Sequence, residues 1–152
     1  MNKKKKGIKR HESLQPLSRH HMVALHLALK LSRVGTEKSK LTEKEIKNEV
    51  REFWESGGQE HFREEEEILL PTFAQHASIE QTEIVEMLLE HVKIRALIDK
   101  INSTAEIDLD TMHELGSMLE AHVRKEERII FPMIEKALPE EVLQKMAPYL
   151  HE

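Results

Sequence analysis

The chain has 152 residues, room for one domain with a buried core, and its 28 acidic against 23 basic residues give a formal net charge of -5, which argues against a nucleic-acid binder. With no cysteine there is no disulfide, thiolate metal site or chain-held iron–sulfur cluster, a composition that suits a reducing cytoplasm. No run of about eighteen apolar residues offers a membrane span, and five Gly, five Pro and 34% charged residues without long Val/Ile/Thr runs point to an all-α protein.

In chain order, residues 1–12 read as a basic, disordered tail (Lys3, Lys4, Lys5, Lys6, Lys9, Arg10). No hydrophobic segment stands behind them, so they are not a secretory signal. Residues 13–152 read as one helical bundle. Helix 1 is expected from Ser13 or Leu17 to Arg33, ending near Gly35 and apolar on more than one side. Thr42 with Glu45 makes a capping box that opens helix 2, which carries Ile46, Val50, Phe53 and Trp54. Gly57 and Gly58 lie inside it at a cost of about 1 kcal/mol each relative to Ala. A kink or a tight contact there is expected, with the helix running on to about His76. Ser78 and Gln81 form a second capping-box pattern before helix 3, expected to run to about Ile101 with Ile84, Met87, Leu88, His91, Ile94 and Ile98 on its apolar stripe. Helix 4 is expected over Leu109 to Ile134, and Pro139 with Glu140 and Glu141 starts a short final helix. Four helices of about 20–30 residues on short links describe an up-down-up-down four-helix bundle with a short C-terminal helix.

One stretch occurs twice. His61-Phe62-Arg63-Glu64-Glu65-Glu66-Glu67-Ile68-Leu69-Leu70-Pro71 returns as His122-Val123-Arg124-Lys125-Glu126-Glu127-Arg128-Ile129-Ile130-Phe131-Pro132, with six of eleven positions identical. Each copy puts a His and a Glu four residues apart, on one helical face, ahead of a proline expected to end the helix. His–x₃–Glu occurs a third time at His76 and Glu80, but across the break at Ser78. His61, His91, His122 and His21 each sit in an apolar face, one per long helix. His20 competes with His21, because Leu17, Val23, Ala24 and Leu27 flank it. His113 has polar neighbours and reads as a surface residue, His26 faces Arg19, Lys30 and Arg33 as well as Met22 and Val23, and His11 and His151 lie near the termini. A carboxylate is almost never buried unpaired, so Glu65 and Glu126 on those faces ask for a cation.

Imidazole and carboxylate without sulfur suit iron, manganese, zinc or copper. His21 and His61 would serve one metal, His91 and His122 the other, with Glu65 and Glu126 bridging. The ferritin-like di-iron proteins place Glu before His by three; here His comes first, by four.

These residues resemble the hemerythrin-like, or HHE cation-binding, domain family. The likeness rests on Leu17-Ser18-Arg19-His20-His21, the two repeated stretches and Glu90-His91-Val92-Lys93-Ile94-Arg95, within about Leu14 to Ala137. It implies a four-helix bundle around a non-haem, oxo- or hydroxo-bridged di-iron centre. Members of the family bind O₂ or NO, sense oxygen or iron, or help repair nitrosatively damaged iron centres. The oxygen carriers have a second His one turn after the third-helix His, where this chain has Arg95. Their last carboxylate falls five residues after the final His, which would favour Glu127 over Glu126. The iron–sulfur repair relatives carry an N-terminal cysteine-bearing segment, and this chain has no cysteine.

The expectation is a di-iron protein handling O₂, NO or iron as sensor, store or scavenger, with a small ligand and an unknown protein partner. The alternatives are a di-iron oxidase or peroxidase-like enzyme at the same site, and a metal-free helical interaction domain.

Overall fold

The computed structural model describes residues 9–150; the basic run of residues 3–6 and His151 lie outside them. Four long helices form the bundle: α1 (Gln15–Arg33), α2 (43–74), α3 (Thr82–Ser103) and α4 (109–137). A short α5 (Glu140–Met146) closes one end, and there is no strand among the described residues. None of their helices is long and apolar enough to cross a membrane. The all-α bundle expected from the sequence is the fold observed.

Local chemistry explains most of the boundaries. Gly35 takes φ 79° just past α1, a left-handed turn that glycine adopts without a Cβ penalty. Thr42 and Glu45 form the reciprocal capping box at the start of α2. At α3 the second box does not form: Ser78 Oγ accepts from the Glu80 N–H instead, and the helix begins at Thr82 with no side-chain cap. Asp108 caps α4 by accepting from the Asp110 and Thr111 N–H groups.

The two prolines do not end their helices. Pro71 and Pro132 each follow a five-residue π-turn, Glu65–Leu69 and Glu126–Ile130, and helix resumes as Leu70–Ala74 and Phe131–Ala137. Proline has no N–H and its ring crowds the carbonyl four residues back. The chain opens by one residue, and the Leu70 and Phe131 N–H groups bond the Glu65 and Glu126 carbonyls. Each π-turn therefore begins at one of the two repeated glutamates. A third, at Trp54–Gly58, kinks α2 at Gly57.

Buried apolar residues fall into two clusters. One contains Ala24, Leu27, Val50, Phe53, Phe62, Ile94, Leu119 and Val123. The other contains Leu14, Leu17, Leu69, Phe73, Ile84, Met87, Ile130 and Phe131. Along α1 the second cluster comes first, along α2 last, along α3 first and along α4 last, as an up-down-up-down path requires. On each helix one histidine, His21, His61, His91 or His122, falls close to where one cluster gives way to the other. Of the expected 1–12 tail, Arg10 is buried against the bundle and its guanidinium bonds Glu127 and Glu135, each at 3.1 Å.

Candidate metal centre

Between the two apolar layers lies a polar one. His21, His61, His91 and His122 are buried, and Glu65 and Glu126 have no exposure at all. Their donor atoms fall into two groups that share both carboxylates: His21, His61, Glu65 and Glu126; and Glu65, His91, His122 and Glu126. Within each group, one ligand atom per residue lies within 4.8 Å of the others. Glu126 Oε1 is 2.8 Å from His21 Nε2, and its Oε2 is 2.8 Å from His122 Nε2. Glu65 Oε2 is 2.8 Å from His61 Nε2, and its Oε1 is 3.0 Å from His91 Nε2. So each carboxylate reaches across, one oxygen to either side.

Two of these approaches are not hydrogen bonds. Glu65 Oε1 and His122 Nε2 are fully buried and form none, although a charged neighbour stands within 3.0 and 2.8 Å. Their contacts lack hydrogen-bond alignment, as donors do when they converge on a common point instead of pairing. Six residues offering nitrogen and oxygen donors, no sulfur, and two orphaned buried atoms fit a pair of divalent cations.

The four imidazoles are oriented from outside through Nδ1. Glu127 Oε2 lies 2.5 Å from His21 Nδ1, Glu66 Oε2 2.6 Å from His91 Nδ1, and Glu90 Oε1 2.8 Å from His122 Nδ1. His61 differs, because its Nδ1 lies 3.2 Å from Nδ1 of His20. A cation holds each outer carboxylate: Arg10 on Glu127, Arg95 on Glu66 at 2.9 Å, and Lys125 on Glu90 at 2.5 Å. Arg95 stands where the oxygen carriers have a His, and here it supports the outer shell. An Nδ1–H held this way leaves the Nε2 lone pair pointing inward. Phe62 stacks on His91 with centroids 4.0 Å apart, and Phe131 on His21 at 5.3 Å, walling the layer.

Electrostatics agree. Burial alone would lower the imidazole pKa values, but hydrogen bonds and charge from the surrounding carboxylates outweigh it. They hold His21 at about 10, His91 at about 11 and His122 at about 9, and raise His61 as well. The carboxylates respond in kind. Against the upward push of burial, the neighbouring histidines draw Glu126 well below its ordinary value, and His21, Ser18 and Arg10 bring Glu127 to about 2. The carboxylates thus favour positive charge on all four rings, the same sign of charge that a bound cation brings.

Of the residues nominated from the sequence, the structure brings together His21, His61, Glu65, His91, His122 and Glu126. His20 turns to His61 and contributes no donor to either group, and Glu127 stands outside, on His21. His113 is half-buried and bonds the Val34 carbonyl at 2.7 Å, and His76 is exposed. Sequence reasoning missed the outer shell of Glu66, Glu90 and Arg10. Glu90 precedes His91 and Glu66 follows Glu65, yet neither adjacency says that the side chain crosses to another helix.

A bundle of this kind, with cation donors buried at mid-height on all four helices, is the architecture of a metal-binding helical protein. The profile of the hemerythrin HHE cation binding domain matches residues 13–134, with a second match over 90–146, and the chain belongs to that family. No curated relative and no solved structure matches the chain.

Proposed function

We propose that the chain binds two non-haem irons through His21, His61, Glu65, His91, His122 and Glu126, and uses them to handle O₂, NO or iron itself as a sensor, store or scavenger. The observation that carries this reading is the pair of fully buried carboxylates, Glu65 and Glu126, each shared by two histidine pairs. His21 and His61 would hold one iron and His91 and His122 the other. When bound, the two irons supply reversible redox chemistry and exchangeable coordination for a diatomic ligand. The chain fixes the rings from Glu127, Glu66, Glu90 and His20, and excludes water by apolar layers above and below.

A cavity of about 10 Å³ beside the layer, bounded by Ala24, Phe53, Leu119 and Val123 together with the His21, His61 and His122 rings, is about the size of one water molecule. It gives no room for an organic substrate beside the irons, which favours a small ligand at these residues over an oxidase that holds its substrate there. Anaerobic Fe(II) loading followed by iron counting tests the proposal, with a Glu65→Ala/Glu126→Ala variant as reference. Two irons per wild-type chain and none in the variant are expected, with a charge-transfer band on adding O₂ or NO. Reversal of that band on ligand removal supports binding, and repeated turnover would assign the site to catalysis. Iron no higher than in the variant removes the proposal.

A further inference from the structure

The two halves of the polar layer are built alike inside and unlike outside. His91 and His122, which face each other with ring centroids 4.9 Å apart, are each backed on Nδ1 by a carboxylate, Glu66 and Glu90. In the other half His21 is backed by Glu127, but His61 is backed by an imidazole. The fold makes specific room for that imidazole. The His20 ring stacks on Phe53 with centroids 5.5 Å apart and planes 13° from parallel. A Cβ at Gly57 would come within 2.9 Å of His20 Nε2, and one at Gly58 within 2.8 Å of the Phe53 ring. The glycine pair that kinks α2 is thus where His20 and Phe53 lie against the helix.

For Nε2 of His61 to act as a ligand, its Nδ1 must carry the proton and donate it, so His20 Nδ1 accepts. A neutral ring accepts more weakly than a carboxylate and lends His61 less basicity than Glu66 and Glu90 lend their partners. We infer that the two cation sites are unequal: Glu65/His91/His122/Glu126 fills first and holds its cation tightly, His21/His61/Glu65/Glu126 fills second and releases it more readily, and His20 is the positioning residue that sets the difference. The inference rests on the proposed function and deepens it, because a protein with one tight and one labile site has a defined half-loaded form. That form suits iron exchange or sensing.

The test is an anaerobic Co(II) titration of the full chain, followed by calorimetry and by the cobalt absorption spectrum. Wild type is expected to bind in two steps separated by about 10- to 100-fold in affinity, the range by which outer-shell partners tune metal sites. His20→Phe keeps an aromatic ring against Phe53 and removes the acceptor. It should leave the first step in place, which also shows that the variant is folded, and weaken the second by about 10-fold or more. His20→Gln, whose amide oxygen accepts from His61, should recover the second step. In the ¹⁵N spectrum of metal-free wild type, the His61 ring should carry a proton on Nδ1 while Nε2 faces Glu65, with the Nδ1 signal shifted in His20→Phe and restored in His20→Gln. Equal weakening of both steps, weakening of the first alone, or no response to His20 overturns the inference while leaving two-cation binding intact. Absence of any cobalt binding by wild type overturns the proposed function with it.

Discussion

Glu126 is the residue on which the polar layer turns, since its two oxygens lie 2.8 Å from imidazoles of α1 and α4. Glu126→Gln keeps the shape and removes the charge. It should abolish binding of both cations, read by metal analysis, and lower the pKa of His21 and His122, read by NMR titration. Stability of the metal-free protein should follow the same groups. His21, His91 and His122 have folded pKa values raised from 6.5 to between about 9 and 11, so their contribution is complete below pH 6.5 and is lost as pH rises through that range. Glu127, lowered from 4.5 to about 2, contributes fully above pH 4.5 and loses its contribution as pH falls towards 2. Thermal melts should show a plateau between about pH 4.5 and 6.5 and a decline on the alkaline side. Divalent cation should reverse that decline, because loading displaces protons from imidazole and strengthens as they become scarcer. At this scale the sequence was largely legible. The spacing of His61 with Glu65 and His122 with Glu126 puts each pair on one face, and apolar neighbours mark that face as inward. The choice between His20 and His21, or Glu126 and Glu127, was not legible. Adjacent helical residues point about 100° apart, and which of them faces the centre depends on the rotation of the helix against three others.

The helices carry the site through two kinds of irregularity. Pro71 and Pro132 open π-turns that start at Glu65 and Glu126, so the repeated proline belongs to the site's construction and is not a stop signal. A proline in a helical pattern reads as an ending because it breaks one hydrogen bond. That the helix would absorb it in a wider turn depends on the packing of Leu69, Phe73, Ile130 and Ile134 on either side of it, which is tertiary information. The Ser78 pattern misled for a related reason: a hydroxyl can bond the N–H two residues on instead of capping a helix. Gly116 marks the close crossing of α1 and α4. A Cβ there would meet Leu31 Cβ at 2.9 Å and the Ala28 carbonyl at 3.0 Å. Gly116→Ala should gain about 1 kcal/mol in helix propensity and lose about 1–3 kcal/mol to overpacking. The expected outcome is net destabilisation in urea unfolding of the metal-free protein; a stabilised variant would show that the helices separate freely at this point.

For the whole molecule, the design is a charged layer between two apolar ones, with one donor pair or single histidine placed on each helix at the level where the layers meet. Arg10 ties the segment before α1 to this layer through Glu127, so the N-terminal residues lead directly to the outer shell of His21. Arg10→Ala should leave the bundle folded and weaken the hold on His21, read as faster cation release from the loaded protein by chelator competition. The bundle and the grouping of four histidines with two glutamates in its interior were readable from one internal repeat and the helical period. The outer shell and the buried Arg10 were not, because both depend on side chains that cross from one helix to another, Glu66 to His91 and Glu90 to His122 as well as Arg10 and His21 to Glu127. The most direct test of the account is anomalous diffraction at the iron edge from crystals grown with Fe(II) under anaerobic conditions. Two peaks are expected in the polar layer, one beside His21 and His61 and one beside His91 and His122, with the carboxylates of Glu65 and Glu126 reaching both. An empty layer, or iron bound only at surface carboxylates, would contradict it.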